Sequence, residues 1–116
     1  MANKVVGALL LGMVLVGCGG ASAEGGEGAV EVPAQYQGAV TSTDTARGEQ
    51  LFTDVCGACH EGGAAPDLRA ESHGAPMIRM TVRQGDGQMP PLGVDRLSDD
   101  DLEAVLAYMV SVNAAQ

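Results

Sequence analysis

Apolar residues along this 116-residue chain gather into one unbroken run and three periodic ones. The unbroken run is "VVGALLLGMVLV", Val5–Val16, 12 residues long; it follows Lys4 and leads into "LVGC", Leu15–Cys18. A helix crossing a bilayer needs about 20 apolar residues, so this run is short for a span and right for the hydrophobic region of a secretory signal. The first periodic run follows Asp44. Gly48, Leu51, Phe52 and Val55 fall at i, i+3, i+4 and i+7, one stripe of an amphipathic helix, with Asp44 or Thr45 as its N-cap. The clearest run is "SDDDLEAVLAYMVSV". Ser98 is its candidate N-cap, Asp101 completes a capping-box pattern, and the three aspartates lie at the positive end of the helix dipole. Its predicted buried stripe is Leu102, Val105, Leu106 and Met109, with Tyr108 and Val112 at the margins. A weaker helix is predicted over Ala75–Gln84, with Met77, Ile78 and Val82 as its apolar contacts. No stretch alternates as a strand, which predicts an all-α fold.

Between the unbroken run and the first helix lies "GGASAEGGEGAVEVPAQYQGAVTST", Gly19–Thr43. Gly, Ala, Ser and Glu dominate, no apolar period persists, and the segment reads as a flexible tether with a reach of roughly 25–30 Å. The alternative for its "AVEVPAQY" patch is a local strand or a docking strip. The "LVGC" at Leu15–Cys18 resembles the lipobox of bacterial lipoproteins. That resemblance implies cleavage before Cys18 and a lipid on it; the alternative is an ordinary signal peptide cut after "ASA", Ala21–Ala23. Both export the protein. The expected organisation is a signal peptide over residues 1–17, a lipid-anchored linker over 18–43 and one domain over 44–116.

Composition makes that domain look short of filling. The chain has no Trp, one Phe, two Tyr and 17 Gly, whereas aromatic side chains supply much of the area a small core buries. Its formal charge is −9, from 15 acidic against 6 basic residues, with no basic stripe. Nucleic acid is thereby excluded as a partner. The dispersed acids read as a solvated surface, with steering towards a basic protein partner as the second option.

The candidate chemistry lies in "VCGACHE", Val55–Glu61, where two of three cysteines and one of two histidines share five positions. Cys56 and Cys59, one helical turn apart, put both sulfurs on one side, within reach of two substituents on one porphyrin edge. His60 can then present its imidazole to the iron. Three rivals use parts of the pattern. Zinc needs four ligands, so His73 or a carboxylate would have to join the cluster. A thiol redox pair, which an oxidising compartment permits, belongs in a βαβ setting. Blue copper wants two His, one Cys and a Met, and leaves a cysteine over.

Downstream stands "GDGQMPPL", Gly85–Leu92. The Met89 thioether is a soft ligand suited to low-spin haem iron and raises its potential. Pro90 keeps Met89 out of the α region, and Pro91 stiffens the next step of the chain. Met77, Met80 and Met109 read as core methionines. His73, in "ESHGAPM", reads as a loop residue, with distal ligation as its alternative role.

"VCGACHE", "GGAAPDL", "GQMPPL" and the terminal "LEAVLAYM", in that order over residues 44–116, resemble a class I cytochrome c of the small bacterial kind. The resemblance implies an all-α cytochrome c-like fold, with first and last helices crossing around one covalently bound haem c. It makes Cys56 and Cys59 the thioether cysteines, His60 the proximal ligand and Met89 the distal one. The Pro66 carbonyl is then the acceptor for the histidine ring. Gly48 and Tyr108 match the helix crossing, which explains a glycine that costs about 1 kcal/mol against alanine inside a helix. The tryptophan or extra tyrosines that the family often carries near the haem propionates are missing. A haem set against Leu51, Phe52, Val55, Leu68, Ile78, Val82, Leu92, Leu97, Leu102 and Leu106 would supply the absent filling. The implied function is one-electron transfer, not enzymology, in a respiratory or other electron-transport chain, on the outer side of a bacterial membrane facing the periplasm or outside. Membrane-bound redox proteins are the implied partners, and no small-molecule substrate is. The alternatives are a five-coordinate, peroxidase-like enzyme or sensor, a secreted thiol oxidoreductase, and a haem subunit of a larger complex.

Overall fold

Asp44 opens the first helix of the computed structural model, which describes residues 30–116. Its carboxylate accepts the Arg47 N–H at 3.0 Å, and α1 runs Thr45–Leu51. The helical path continues through a π-helical turn, Phe52–Cys56, into α2, Gly57–His60. α3 spans Ala75–Gln84 and carries Pro76 in its first turn, where the missing N–H has no intrahelical partner to lose. α4 spans Asp99–Ser111, with Ser98 Oγ accepting the Asp101 N–H at 3.2 Å. The reciprocal half of the expected capping box is diverted: the Asp101 carboxylate takes Arg47 Nε at 2.6 Å instead, tying α4 to α1. Among the described residues there is no strand, only isolated bridges of His73 with Ala115 and Asp86 with Met89. No described helix is long and apolar enough to cross a membrane.

α1 and α4 cross at Gly48. A Cβ there would lie 1.9 Å from the Ala104 carbonyl oxygen and 2.9 Å from Tyr108 Cβ, so only glycine admits this approach. Tyr108 is buried rather than marginal, its ring 5.3 Å from that of Phe52, while Val112 is exposed. The reason is that α4 has two neighbours. On one side Val105, Tyr108 and Met109 join Phe52, Ala114 and Ala115; on the other Leu102 and Leu106 join Ala75, Val82, Leu92 and Leu97. A helix between two partners buries far more than one stripe.

The segment before Asp44 departs from the expected free tether. Ala34–Tyr36 form a 3-10 turn, and the buried Arg79 of α3 donates to the carbonyls of Tyr36, Gly38 and Ala39 at 3.0, 2.9 and 3.0 Å. Arg79 Nε also meets Glu103 of α4 at 2.6 Å, and Glu103 accepts the Thr41 N–H at 2.8 Å and its hydroxyl at 3.1 Å. Residues 34–41 are therefore a strap lying on α3 and α4, which shares only Ala34–Tyr36 with the patch offered as a docking strip. Burial pushes the Glu103 carboxyl up, but hydrogen bonds from Arg79 and Thr41, with the Arg79 charge, more than offset it and leave it below the ordinary range. A carboxyl lowered by folding contributes stability above its unfolded value, about 4.3 for glutamate, and loses that contribution as pH falls through its lower folded value. Amide exchange at Thr41, corrected for intrinsic rate, is accordingly expected to accelerate on acidification through that window and to become pH-insensitive in Glu103→Gln. An unchanged wild-type protection factor across the window contradicts this.

Candidate functional site

The π-helical turn decides how the cysteine–histidine motif is displayed. The Gly57 N–H bonds the Phe52 carbonyl, five residues back. The residues beyond it are thereby shifted out of phase with the stripe that buries Gly48 and Phe52. Cys56 is half-buried against the Phe52 cluster, Cys59 is exposed, and neither is bridged. Burial, and secondarily the Glu61 carboxylate, push the Cys56 thiol up to about 11. Such a thiol stays protonated, which disfavours thiolate redox chemistry. A thioether has no proton to lose, so the same burial does not oppose it. Among the described residues no three His, Cys, Asp or Glu side chains group to hold a metal ion.

The loop after α2 turns back beneath the imidazole. Gly63 adopts φ +80°, and the Ala65 N–H bonds the Cys59 carbonyl at 3.0 Å. This brings the Pro66 carbonyl oxygen to 2.7 Å from His60 Nδ1. A carbonyl only accepts, so Nδ1 carries the proton and the Nε2 lone pair is free for a metal.

Met89 lies in a tight turn at the end of α3. The Asp86 N–H donates to the Met89 carbonyl at 3.0 Å and the Met89 N–H to the Asp86 carbonyl at 2.8 Å. Met89 is half-buried against the Leu102–Leu106 cluster, while Cys56 touches the Phe52 cluster. Leu51 and Ile78 touch both, so Cys56 and Met89 flank a seam that these two side chains span. Of the ten residues expected to wall a haem, Phe52, Val82, Leu92, Leu97, Leu102 and Leu106 are already buried by protein. This corrects that expectation: the residues with surface left to offer are Leu51, Val55, Leu68 and Ile78, all half-buried. A row of part-exposed apolar side chains beside paired thiols and an imidazole with a free Nε2 fits a covalently attached haem.

His73 stands elsewhere in the hydrogen-bond network. Its N–H and carbonyl pair with Ala114 and Gln116, each at 3.0 Å, which fixes it to the C-terminal tail. A cleft of about 480 Å³ lies between the strap, α3 and the start of α4 and includes none of the motif residues. Cys18 and the signal region fall outside the described residues. Sequence reasoning missed the arginines. Arg69 sets its guanidinium 5.4 Å above the Phe52 ring and pairs with Glu61, while Arg79 and Arg83 fasten loops to α3. The available signal was Arg79 and Arg83 four apart on an otherwise apolar face, in a chain with only 6 basic residues.

The family model described as "Cytochrome C oxidase, cbb3-type, subunit III" matches residues 43–109. Cytochrome c6 of Cyanidium caldarium is 37% identical over 83 residues, covering 62% of this chain and 74% of that one. Cytochrome c6 of Bumilleriopsis filiformis is 38% identical over 79 residues, covering 59% and 91% respectively. No solved structure matches significantly. With this fold and these relatives, the chain belongs to the class I c-type cytochrome family. It is a small mono-haem member, with one covalently bound haem c per chain, and it transfers electrons rather than acting as an enzyme.

Proposed function

We propose that Cys56 and Cys59 would form the two thioethers and that His60 Nε2 and Met89 Sδ would bind the iron. The observation that carries this reading is the 2.7 Å contact between His60 Nδ1 and the Pro66 carbonyl. It fixes the ring in one orientation with Nε2 as the nitrogen left for a metal, and makes that nitrogen a stronger donor. The bound haem supplies a one-electron couple between ferric and ferrous iron. With Met89 bound to the iron, no position would be left for a substrate or oxygen, and its soft sulfur would favour the ferrous state relative to a second imidazole. Leu51, Val55, Leu68 and Ile78 keep water from the site and lower its dielectric, which limits the rearrangement that accompanies a change of charge.

The carrier works in a respiratory or other electron-transport chain on the outer side of a bacterial membrane, between membrane-bound donor and acceptor proteins. The run Val5–Val16 and the adjoining "LVGC" support a signal peptide over residues 1–17 and lipidation of Cys18. Residues 18–43 are then the linker, its last part docked as the strap, and 44–116 the haem domain. Cys18→Ser is expected to release the protein from membranes; retention there contradicts the anchor.

Carbon monoxide tests the ligation. The reduced wild-type protein is expected not to bind it on mixing, and reduced Met89→Ala to bind it rapidly. Ferric Met89→Ala should also lose the far-red sulfur-to-iron charge-transfer band, which His73→Ala keeps. Rapid binding by the wild type would mean a five-coordinate haem, and a band that survives Met89→Ala contradicts the assignment.

A further inference from the structure

We propose that Arg83 is the positioning residue for Met89; the inference rests on Met89 being the distal ligand. Arg83 lies in the last turn of α3, with its side chain 13% exposed. Its Nη1 donates to the carbonyls of Leu92 at 2.9 Å and Leu97 at 2.8 Å, and its Nη2 to the Asp99 carboxylate at the head of α4. One guanidinium thus joins α3, both ends of the segment after Met89, and α4. The Leu92 N–H adds a bond to the Val82 carbonyl at 2.7 Å, so Leu92 is gripped through both its backbone groups.

Only two residues separate Met89 from that grip, and both are prolines. Pro90 and Pro91 have fixed φ, so the link from Leu92 back to Met89 is a short, stiff rod. On the other side Met89 is held by its paired hydrogen bonds with Asp86. Gly85, at φ +76°, makes room for this return: a Cβ there would lie 2.6 Å from the Met89 carbonyl oxygen and 3.0 Å from Pro91 N. Met89 is therefore suspended between two fixed points, the Asp86 turn and the Leu92 clamp. Without Arg83 the second point keeps one hydrogen bond instead of two, and the carbonyls of two buried leucines lose their donor. Swinging the loop away from the iron then costs less, and an external ligand competes better for the sixth position.

Imidazole, a good iron ligand, measures that cost on the ferric holoprotein of the full chain. Its binding displaces Met89, and loss of the far-red sulfur-to-iron band reports it. Arg83→Gln is expected to retain haem and the band without imidazole, and to bind imidazole at least tenfold more tightly, about 1.4 kcal/mol. Arg83→Lys carries a single ammonium that cannot span two carbonyls and a carboxylate, so it should fall between wild type and Arg83→Gln. It also serves as the test should Arg83→Gln fail to fold. Asp101→Asn, which weakens the Arg47 contact between α1 and α4 and leaves the three Arg83 bonds in place, separates clamping from general destabilisation and should leave imidazole affinity at the wild-type value. If the wild-type ferric protein has no sulfur-to-iron band, the Met89 assignment falls and this inference with it. If the band is present and both Arg83 variants bind imidazole as the wild type does, or if Asp101→Asn tightens binding as much as Arg83→Gln, the inference alone is overturned.

Discussion

Replacing Cys56 and Cys59 together by alanine is expected to give a chain with little helical circular dichroism and no cooperative thermal transition. The cause lies in what the core lacks. Of the 14 apolar residues that are buried among those described, five are alanines, and Phe52 and Tyr108 are the only aromatic side chains. A domain of this size hides only about 60% of the surface its unfolded chain exposes, which leaves it marginal without a cross-link, metal or cofactor. Leu51 and Ile78, which span the two clusters, and Leu68 and Val55, which pack on one each, remain part-exposed until a flat apolar group covers them. Without the two sulfurs proposed to bind it, that group would not be retained, and the folding free energy it contributes would be lost. A double variant that lacks haem yet melts cooperatively from a native-like helical spectrum contradicts this account.

Gly48→Val is expected to abolish accumulation of folded holoprotein, and Gly48→Ala to lower its stability by about 3 kcal/mol. Two effects oppose each other here. Alanine inside a helix is favoured over glycine by about 1 kcal/mol, so on an exposed helix face this substitution would stabilise. At the crossing, however, the new Cβ would lie 1.9 Å from the Ala104 carbonyl oxygen and 2.6 Å from its carbon. That neighbour is backbone and cannot rotate away, so α1 and α4 must separate, loosening Phe52, Val105 and Tyr108 together. With total stabilities of about 0.05–0.15 kcal/mol per residue, a domain of this size has little margin for such a loss. Chemical denaturation of the holoprotein measures it, and a midpoint for Gly48→Ala at or above that of the wild type would show that the helices part without cost.

Much of this arrangement was legible in the sequence because it repeats or because its chemistry is tied to residue type. Apolar spacing placed α1 and α4, Asp44 and Ser98 marked their starts, and α3 spans the predicted Ala75–Gln84. The cysteine–histidine motif and Met89 stood out as candidates because few residue types can form thioethers to a porphyrin or bind its iron. Three features were not legible, each for its own reason. The π-helical turn at Phe52–Cys56 differs from the α-helix around it by one backbone hydrogen-bond step, which side-chain periodicity does not record. The burial of Tyr108, which periodicity put at the margin of the stripe and only the family resemblance put at the helix crossing, follows from α4 having neighbours on two sides, a fact of tertiary packing. The strap and the Met89 loop are held by Arg79 and Arg83 through backbone carbonyls. Every residue has a carbonyl, so those partners leave no trace in sequence.

The absorbance spectrum of the purified wild-type holoprotein, ferric and then ferrous, reads haem linkage and ligation together. A six-coordinate low-spin haem is expected in both states, with a far-red sulfur-to-iron band in the ferric form and haem that acid–organic extraction does not remove. A high-spin spectrum, an absent far-red band or haem that extracts freely would contradict it.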